Sequence, residues 1–138
     1  MTERARQLMA ATDPAAKLGC PSAAGLKTLC AGDPTALTTR LIAEGAALND
    51  PLCVGLLADA TATLGWALAQ AIALINPARI VVGGGVSLIG EEGFLEPVRE
   101  ACRVHCFKPF RGLAGIVPAS LGEEVVVHGA LALARQSQ

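Results

Sequence analysis

Three consecutive glycines, Gly83, Gly84 and Gly85, stand between a β-branched run, Ile80-Val81-Val82, and the pair Val86-Ser87. At the carboxyl end of a parallel strand, such a run lets a ligand lie against bare backbone, with N–H groups free to bond it and no Cβ in the way. Loops of that kind cradle nucleotides. The glycines are consecutive and no lysine follows them, so the GxxxxGK[ST] loop and the complete GxGxxG fingerprint are both excluded. The same residues would serve equally as a tight strand-to-helix turn that holds no ligand.

Other side chains could carry chemistry. Cys102, His105 and Cys106 form C-x-x-H-C, and on a helix these positions share a face, so two thiolates and an imidazole could meet a metal. A fourth ligand is not apparent, and core cysteines are the expected reading. His128 stands alone on the closing segment and is expected to be packed or solvent-facing rather than a catalytic base. Glu91, Glu92, Glu96 and Glu100 crowd the start of the segment after the glycines, where the helix dipole and a solvated face account for them. Lys108 and Arg111 flank Pro109 in what reads as a surface loop. Asp59 interrupts a long apolar run, and a buried partner or a locally exposed turn would each explain it.

These residues need elements to hold them. Met1 to Thr12 favours a first short helix, stopped by Asp13-Pro14 because the residue before proline is pushed out of the α region. The mixed stretch that follows allows a short helix between Ser22 and Leu29. Asp33-Pro34 reads as an N-cap with proline at the first helical position, and Leu37, Leu41, Ile42 and Leu48 continue at helical spacing, which predicts a helix from Pro34 to Leu48. Asp50-Pro51 repeats the signal. Behind it Cys53, Leu56, Leu57, Ala60, Leu64, Leu68, Ala71, Ile72 and Ile75 step by threes and fours to Asn76-Pro77, predicting one long core helix. Gly65 and Ala69 mark a place on it where another backbone approaches closely. A strand at residues 79–82, a glycine turn, a helix from about Glu91 to Cys106, a second strand at Gly115-Ile116-Val117-Pro118 and a closing helix from Leu121 to Gln136 complete the order. Strand, helix, strand, helix implies two parallel strands joined by a right-handed crossover. A two-stranded parallel sheet is normally the flank of something larger.

Composition narrows the classes. With 52% hydrophobic and 17% charged residues and a mean hydropathy of +0.49, the chain is neither a disordered tail nor a fibre. Three Phe, one Trp and no Tyr leave the core to aliphatic side chains and close helix packing. The net charge of −1, without a basic block, argues against nucleic-acid binding. Residues 60–78 carry no charge but include Thr61, Thr63, Gln70, Asn76 and Pro77, and the apolar part falls short of the ~20 residues of a bilayer span, so no membrane role is expected. Five cysteines, Cys20, Cys30, Cys53, Cys102 and Cys106, at irregular spacing fit a reducing cytoplasm.

The run LGWALAQAIALINPARIVVGGGVSLIG from Leu64, then FLEPVREA, then IVPASLGEE and HGALALA, resembles the carboxyl-terminal part of ROK proteins, the bacterial sugar kinases and sugar-responsive repressors. The Asp33-Pro34 and Asn49-Asp50-Pro51-Leu52 segments sit where that family has paired helices. The resemblance runs from about Pro34 to Ala134 and implies an α/β, ribonuclease-H-like lobe of the actin, hexokinase and Hsp70 ATPase superfamily, helix-rich, truncated and with a short parallel sheet. Residues 1–138 would form that carboxyl-terminal lobe, with 1–32 as a loosely matched helical lead-in. By the same resemblance Gly83, Gly84, Gly85, Val86 and Ser87 would lie at the adenine and ribose of ATP. Glu123 and Glu124 depart from the family's usual residues, and His128 stands where an apolar residue is expected.

The family's DxGGT phosphate loop, its catalytic Asp, its second glycine-rich loop and its zinc cluster precede the matched region and are not found in these residues. Phosphoryl transfer needs a metal-bound triphosphate, a positioned hydroxyl and a base. The resemblance therefore implies part of an ATP- and Mg²⁺-dependent hexose kinase of glucokinase type. It would hold part of the adenosine site, contain no catalytic residue or metal ligand, and be inactive alone. The alternative is a non-catalytic oligomerisation or effector lobe of a ROK repressor. The partners implied are the missing amino-terminal lobe, a hexose in the parent enzyme, and a second copy of the chain covering the incomplete sheet's apolar face.

Overall fold

The computed structural model describes residues 1–11, 30 and 33–136. Cys20 and the expected helix between Ser22 and Leu29 lie outside the described residues. Helix α1, Thr2–Ala11, forms as its composition predicts and buries Ala5 completely. Its Arg4 pairs with Asp59 at 3.0 Å, which explains the lone acid of the long apolar run by an exposed ion pair of small energetic weight.

The expected helix from Pro34 to Leu48 is divided. The Asp33 carboxylate accepts from the Thr35 backbone N–H at 2.8 Å and its hydroxyl at 2.7 Å, so the chain closes a single 3-10 turn over Pro34–Ala36. Leu37 then turns inward, and Thr38 accepts from the Leu41 N–H at 3.3 Å as a fresh N-cap for α2, Thr39–Ala47. Local side-chain capping overrode the hydrophobic spacing.

Helix α3, Pro51–Ile75, has the predicted bounds. Asp50 accepts from the Leu52 and Cys53 N–H groups, both at 3.0 Å, Pro51 opens the first turn, and Asn76 ends the helix in a left-handed conformation at φ 44°. Only one stripe of it is buried, running through Leu52, Cys53, Leu56, Thr61, Gly65, Ala69 and Ile72. The expected core helix is buried along that stripe alone: Trp66 and Leu74 are exposed, and so is Ile75, by 74%, although its spacing placed it on the stripe. By length and composition α3 could cross a membrane.

Strand β1, Arg79–Val82, pairs in parallel with β2, Gly115–Pro118, with Ile80 opposite Ile116. Between them the expected continuous helix from Glu91 is interrupted. A 3-10 turn, Ser87–Ile89, leads into a π-turn over Glu91–Leu95, and α4 proper is Glu96–His105. The Leu95 N–H reaches back five residues to the Gly90 carbonyl at 3.3 Å, and Pro97 has no N–H to offer a regular ladder. Residues Gly122–Glu124 form a 3-10 turn before the closing helix α5, Val125–Gln136, whose residues from Val126 onward are all exposed.

Helix α3 is the spine of three apolar clusters. One joins it to α1 and α2 through Ile42, Leu52, Cys53 and Leu56; one joins it to α4 and the sheet through Ala69, Ile72, Cys102 and Ile116; one seats Phe94, Leu95 and Val98 beneath Leu64. Each fully buried Ile42- or Leu95-sized side chain contributes about 1.5–3 kcal/mol. Gly65 is where α4 crosses: a Cβ there would come within 2.7 Å of the Cys102 nitrogen and 2.8 Å of the Val98 oxygen, so the close approach read from sequence is present.

Burial, with the Asp50 carboxylate beside it, pushes the Cys53 thiol up to about 12 from an ordinary 9.0. A thiol whose folded value is raised contributes stability fully below its unfolded value and loses it as pH rises through the folded one. Cys53 should therefore resist alkylation in the native state, and the denaturant midpoint should fall as pH climbs from 9.0 toward about 12. Mass spectrometry after a thiol-reagent pulse checks the first expectation; rapid labelling of Cys53 in folded protein would refute it.

Candidate functional site: a glycine turn opening on an apolar groove

Strand β1 delivers the chain to the glycine turn. The ladder continues one residue past β2, with the Ala119 N–H donating to the Val82 carbonyl at 2.9 Å, and this fixes where the turn begins. A Cβ on Gly83 would sit 3.2 Å from the Ala119 Cβ, so the first glycine serves close packing against the residue that follows β2. Gly84 is left-handed at φ 95°, a conformation that L side chains rarely adopt. At Gly85 a Cβ would meet nothing within 4 Å, and this residue lines the wall of a cavity.

The last two expected site residues hold the turn together. Both the Ser87 N–H, at 3.0 Å, and its hydroxyl, at 2.7 Å, donate to the Gly84 carbonyl. Val86 packs beside Phe94, Leu95 and Val98. The turn thus presents Gly84 and Gly85 to the exterior, while Gly83, Val86 and Ser87 shape it. Only a one-turn 3-10 segment follows, so the glycines do not open a long helix whose dipole could receive phosphate.

The cavity measures about 1200 Å³ and lies between α2, α3 and α4, closed on one side by the glycine turn. Its walls are Ala43, Ala46 and Ala47 from α2, Val54, Leu57, Ala58 and Ala62 from α3, Leu88 and Ile89 after the turn, and Pro97, Ala101 and Val104 from α4. Polar groups are few: Thr39, Arg40, Glu44, Thr61 and Glu100. The Arg40 Nε donates to Glu44 at 3.0 Å, Thr61 donates to the Ala58 carbonyl at 2.9 Å, and Arg103 grips Glu100 at 2.6 and 2.8 Å, holding that carboxyl below its ordinary range. The charges at the rim are therefore paired, and the interior suits a flat, largely apolar ring. Sequence reasoning found the glycine wall and missed the helical walls. Their only trace was the surplus of alanine, set on the faces of α2 and α3 that periodicity left unassigned.

The remaining candidates separate. Cys102 and Cys106 are buried in the cluster around Ile116, whereas His105 is exposed, so the C-x-x-H-C residues do not converge. Cys102 and Cys106 keep the expected shared face, and it is His105, about 100° around the helix from Cys106, that faces away from them. Among the described residues, no group of three or more His, Cys, Asp or Glu could hold a metal ion. His128 is exposed, with Nε2 3.8 Å from Glu124. Arg111 does more than sit in a surface loop: its Nε donates to the Cys106 carbonyl at 3.2 Å, at the carboxyl end of α4. Glu91 and Glu96 both pair with Arg99, which also donates from Nε to the Ile116 carbonyl at 2.9 Å. The dipole explanation of those acids is thus incomplete, and Arg99 is a residue the sequence reading did not single out.

The ROK family model matches residues 19–137. Over 98% of its length this chain superposes, at a TM-score of 0.79 and 32% identity, on a ROK family glucokinase from Streptomyces griseus solved with glucose and AMPPNP. A candidate sugar kinase from Cytophaga hutchinsonii matches over 72% of the chain at a TM-score of 0.61 and 25% identity. The chain spans 41% of the first structure's length and 33% of the second's. The comparison with curated proteins gave no match.

Proposed function

Because the chain belongs to the ROK family and has a sugar-kinase-like fold, we propose that it is the carboxyl-terminal lobe of an ATP-dependent hexose kinase and holds part of the adenosine site. The observation that carries this reading is Gly85, whose missing side chain opens the turn onto an apolar cavity of about 1200 Å³. Gly84 and Gly85 would lie against the ribose and adenine, with the alanine-lined faces of α2 and α3 receiving the base. Gly83, Val86 and Ser87 would hold the turn in place. The nucleotide in the Streptomyces griseus glucokinase structure supports the choice of ATP, and its glucose supports a hexose.

The metal and the chemistry belong elsewhere in this proposal. Among the described residues no group of three or more His, Cys, Asp or Glu could hold Mg²⁺, and the carboxylates in the cavity wall, Glu44 and Glu100, are held by Arg40 and Arg103. An amino-terminal lobe would supply the phosphate loops, the metal-bound triphosphate, the sugar site and the proton acceptor, so this chain alone should not phosphorylate glucose. Buried free cysteines at positions 30, 53, 102 and 106 support a reducing, cytoplasmic setting.

Photolabelling with 8-azido-ATP tests the site. Label should fall on peptides from α2, α3 or residues 83–90, and excess ATP should compete it away. Label confined to α5 or the surface of β2 would contradict the proposal. A repressor effector lobe without a nucleotide site would take no competable label.

Trp66, Leu74 and Ile75 on α3, and Val126, Val127, Leu131 and Leu133 on α5, are exposed apolar side chains. In the absence of an amino-terminal lobe, a second copy would cover part of this surface, and the isolated chain should sediment as a homo-oligomer. A clean monomer at high concentration would count against it.

A further inference from the structure

Building on the adenosine reading, we infer that Arg99 is a positioning residue that holds the glycine turn and the adjoining cavity wall in their ligand-accepting shape. The chain leaves the turn through Gly90, at φ 100°, and enters the π-turn Glu91–Leu95. A π-turn is a rare geometry that recurs at functional sites, and it needs contacts from outside itself to persist against ordinary α-helix. Arg99 supplies them. Its Nε donates to the Ile116 carbonyl on β2 at 2.9 Å, and its Nη1 joins the carboxylates of Glu91, the first residue of the π-turn, and Glu96, the first of α4.

One guanidinium therefore refers three elements to a common frame. Ile116 lies opposite Ile80, and β1 runs directly into Gly83, so the entry to the glycine turn is fixed to the same strand pair that Arg99 grips. Its exit is fixed at Glu91. Between those anchors the wall is tightly fitted: a Cβ on Gly93 would approach the Ile89 Cγ2 to 2.8 Å, and Gly93, Ile89 and Gly85 all line the cavity. A shift of the π-turn would thus be felt at Gly85.

Energetics separate this role from simple stabilisation. Glu91 and Glu96 are more than half exposed, and ion pairs of that kind add little to folding. The fork geometry matters instead: the planar guanidinium directs separate N–H groups at the Ile116 carbonyl and at the two carboxylates, an orientation that lysine's compact, freely rotating ammonium does not fix.

The test uses the chain as it stands, with Arg99→Met, Arg99→Lys and Glu91→Gln, and with Ile42→Val in the distant α2 cluster as a control of modestly reduced stability. Arg99→Met should speed hydrogen exchange of the Ser87, Ile89 and Gly90 amides and raise the dissociation constant for ADP, each by about tenfold, the scale of a lost charged hydrogen bond. Its melting temperature should fall no further than that of the control. Arg99→Lys should recover part of both effects, and Glu91→Gln added to Arg99→Met should change neither. Unchanged exchange at Ser87 and Ile89 in Arg99→Met would overturn the inference whether or not nucleotide binds, as would unchanged ADP affinity in a wild-type background that binds. Failure of the unmodified chain to bind ADP would instead sink the adenosine reading, and the exchange result would still decide the role of Arg99.

Discussion

Gly65→Ala should destabilise the protein by about 2–3 kcal/mol, at the upper end of overpacking costs, while Gly55→Ala in the same helix should stabilise it by about 0.5–1 kcal/mol. The two glycines share α3 and differ in what faces them. At Gly55 an added Cβ meets nothing within 4 Å, so the substitution only relieves the helix of glycine's backbone entropy. At Gly65 it meets the Ala101 Cβ and, within 3 Å, the backbone of Cys102 and Val98. Backbone cannot rotate out of the way, so α4 must move off α3. That displacement would open the clusters around Ile72 and Val98 and disturb the cavity wall at Ala101. Urea denaturation of the pair measures both effects. Equal and small changes of the same sign would show that α3 and α4 do not cross as described.

Gly85→Val should abolish nucleotide binding, with the dissociation constant rising by at least about a hundredfold, and leave stability within about 0.5 kcal/mol of the unmodified chain. Its backbone is not in the left-handed region and its Cβ would project into open space, so the fold has no reason to object. The ligand does, because the added methyl groups would occupy the surface on which the ribose or base is proposed to lie. Gly84→Val would not give so clean an answer, since φ 95° at that position makes the folded state itself strained. Calorimetric titration beside thermal melting separates the two effects. Retained affinity in a well-folded Gly85→Val protein would place the nucleotide elsewhere.

Capping signals made much of this architecture legible. Asp50-Pro51 and Asn76 bound α3 to the residue, because a side-chain cap at one end and a left-handed residue at the other are local decisions that tertiary structure had no cause to reverse. The strands at residues 79–82 and 115–118 were equally plain. Failures arose where a nearby side chain or a long-range bond intervened. Thr35 captured Asp33 and split the helix expected from Pro34; Arg99 and Pro97 accompany a π-turn where α-helix was expected. The glycine turn of the candidate site could be read from sequence because consecutive glycines after a strand mark bare backbone, although only packing shows that Gly85 is the one of the three that lines the cavity. Its alanine walls could not, because Ala43, Ala47, Ala58 and Ala62 are as good in any helix as in a binding groove, and only the packing of three helices brings them together. Likewise the spacing of Cys102, His105 and Cys106 placed all three on one side of α4, whereas the cysteines fill the core around Ile116 and His105, on the flank of that stripe, is left to solvent.

The exposed apolar surface of α5 has a related origin. Val126, Val127, Leu131 and Leu133 lie around a helix that is apolar on more than one side, a pattern that belongs to an element enclosed by its neighbours. The superposition on the Streptomyces griseus glucokinase takes in 98% of this chain and 41% of that one. An amino-terminal lobe that encloses α5 would account for its composition within the proposed kinase.

Titration calorimetry of the unmodified chain with AMPPNP is the most direct measurement of the central proposal, that the glycine turn and its groove hold adenosine without carrying out chemistry. Saturable binding of one nucleotide per chain, competed by ADP and accompanied by no phosphorylation of glucose when ATP is substituted, is the result expected. Absence of binding even at millimolar nucleotide, or glucose phosphorylation by this chain alone, would contradict it.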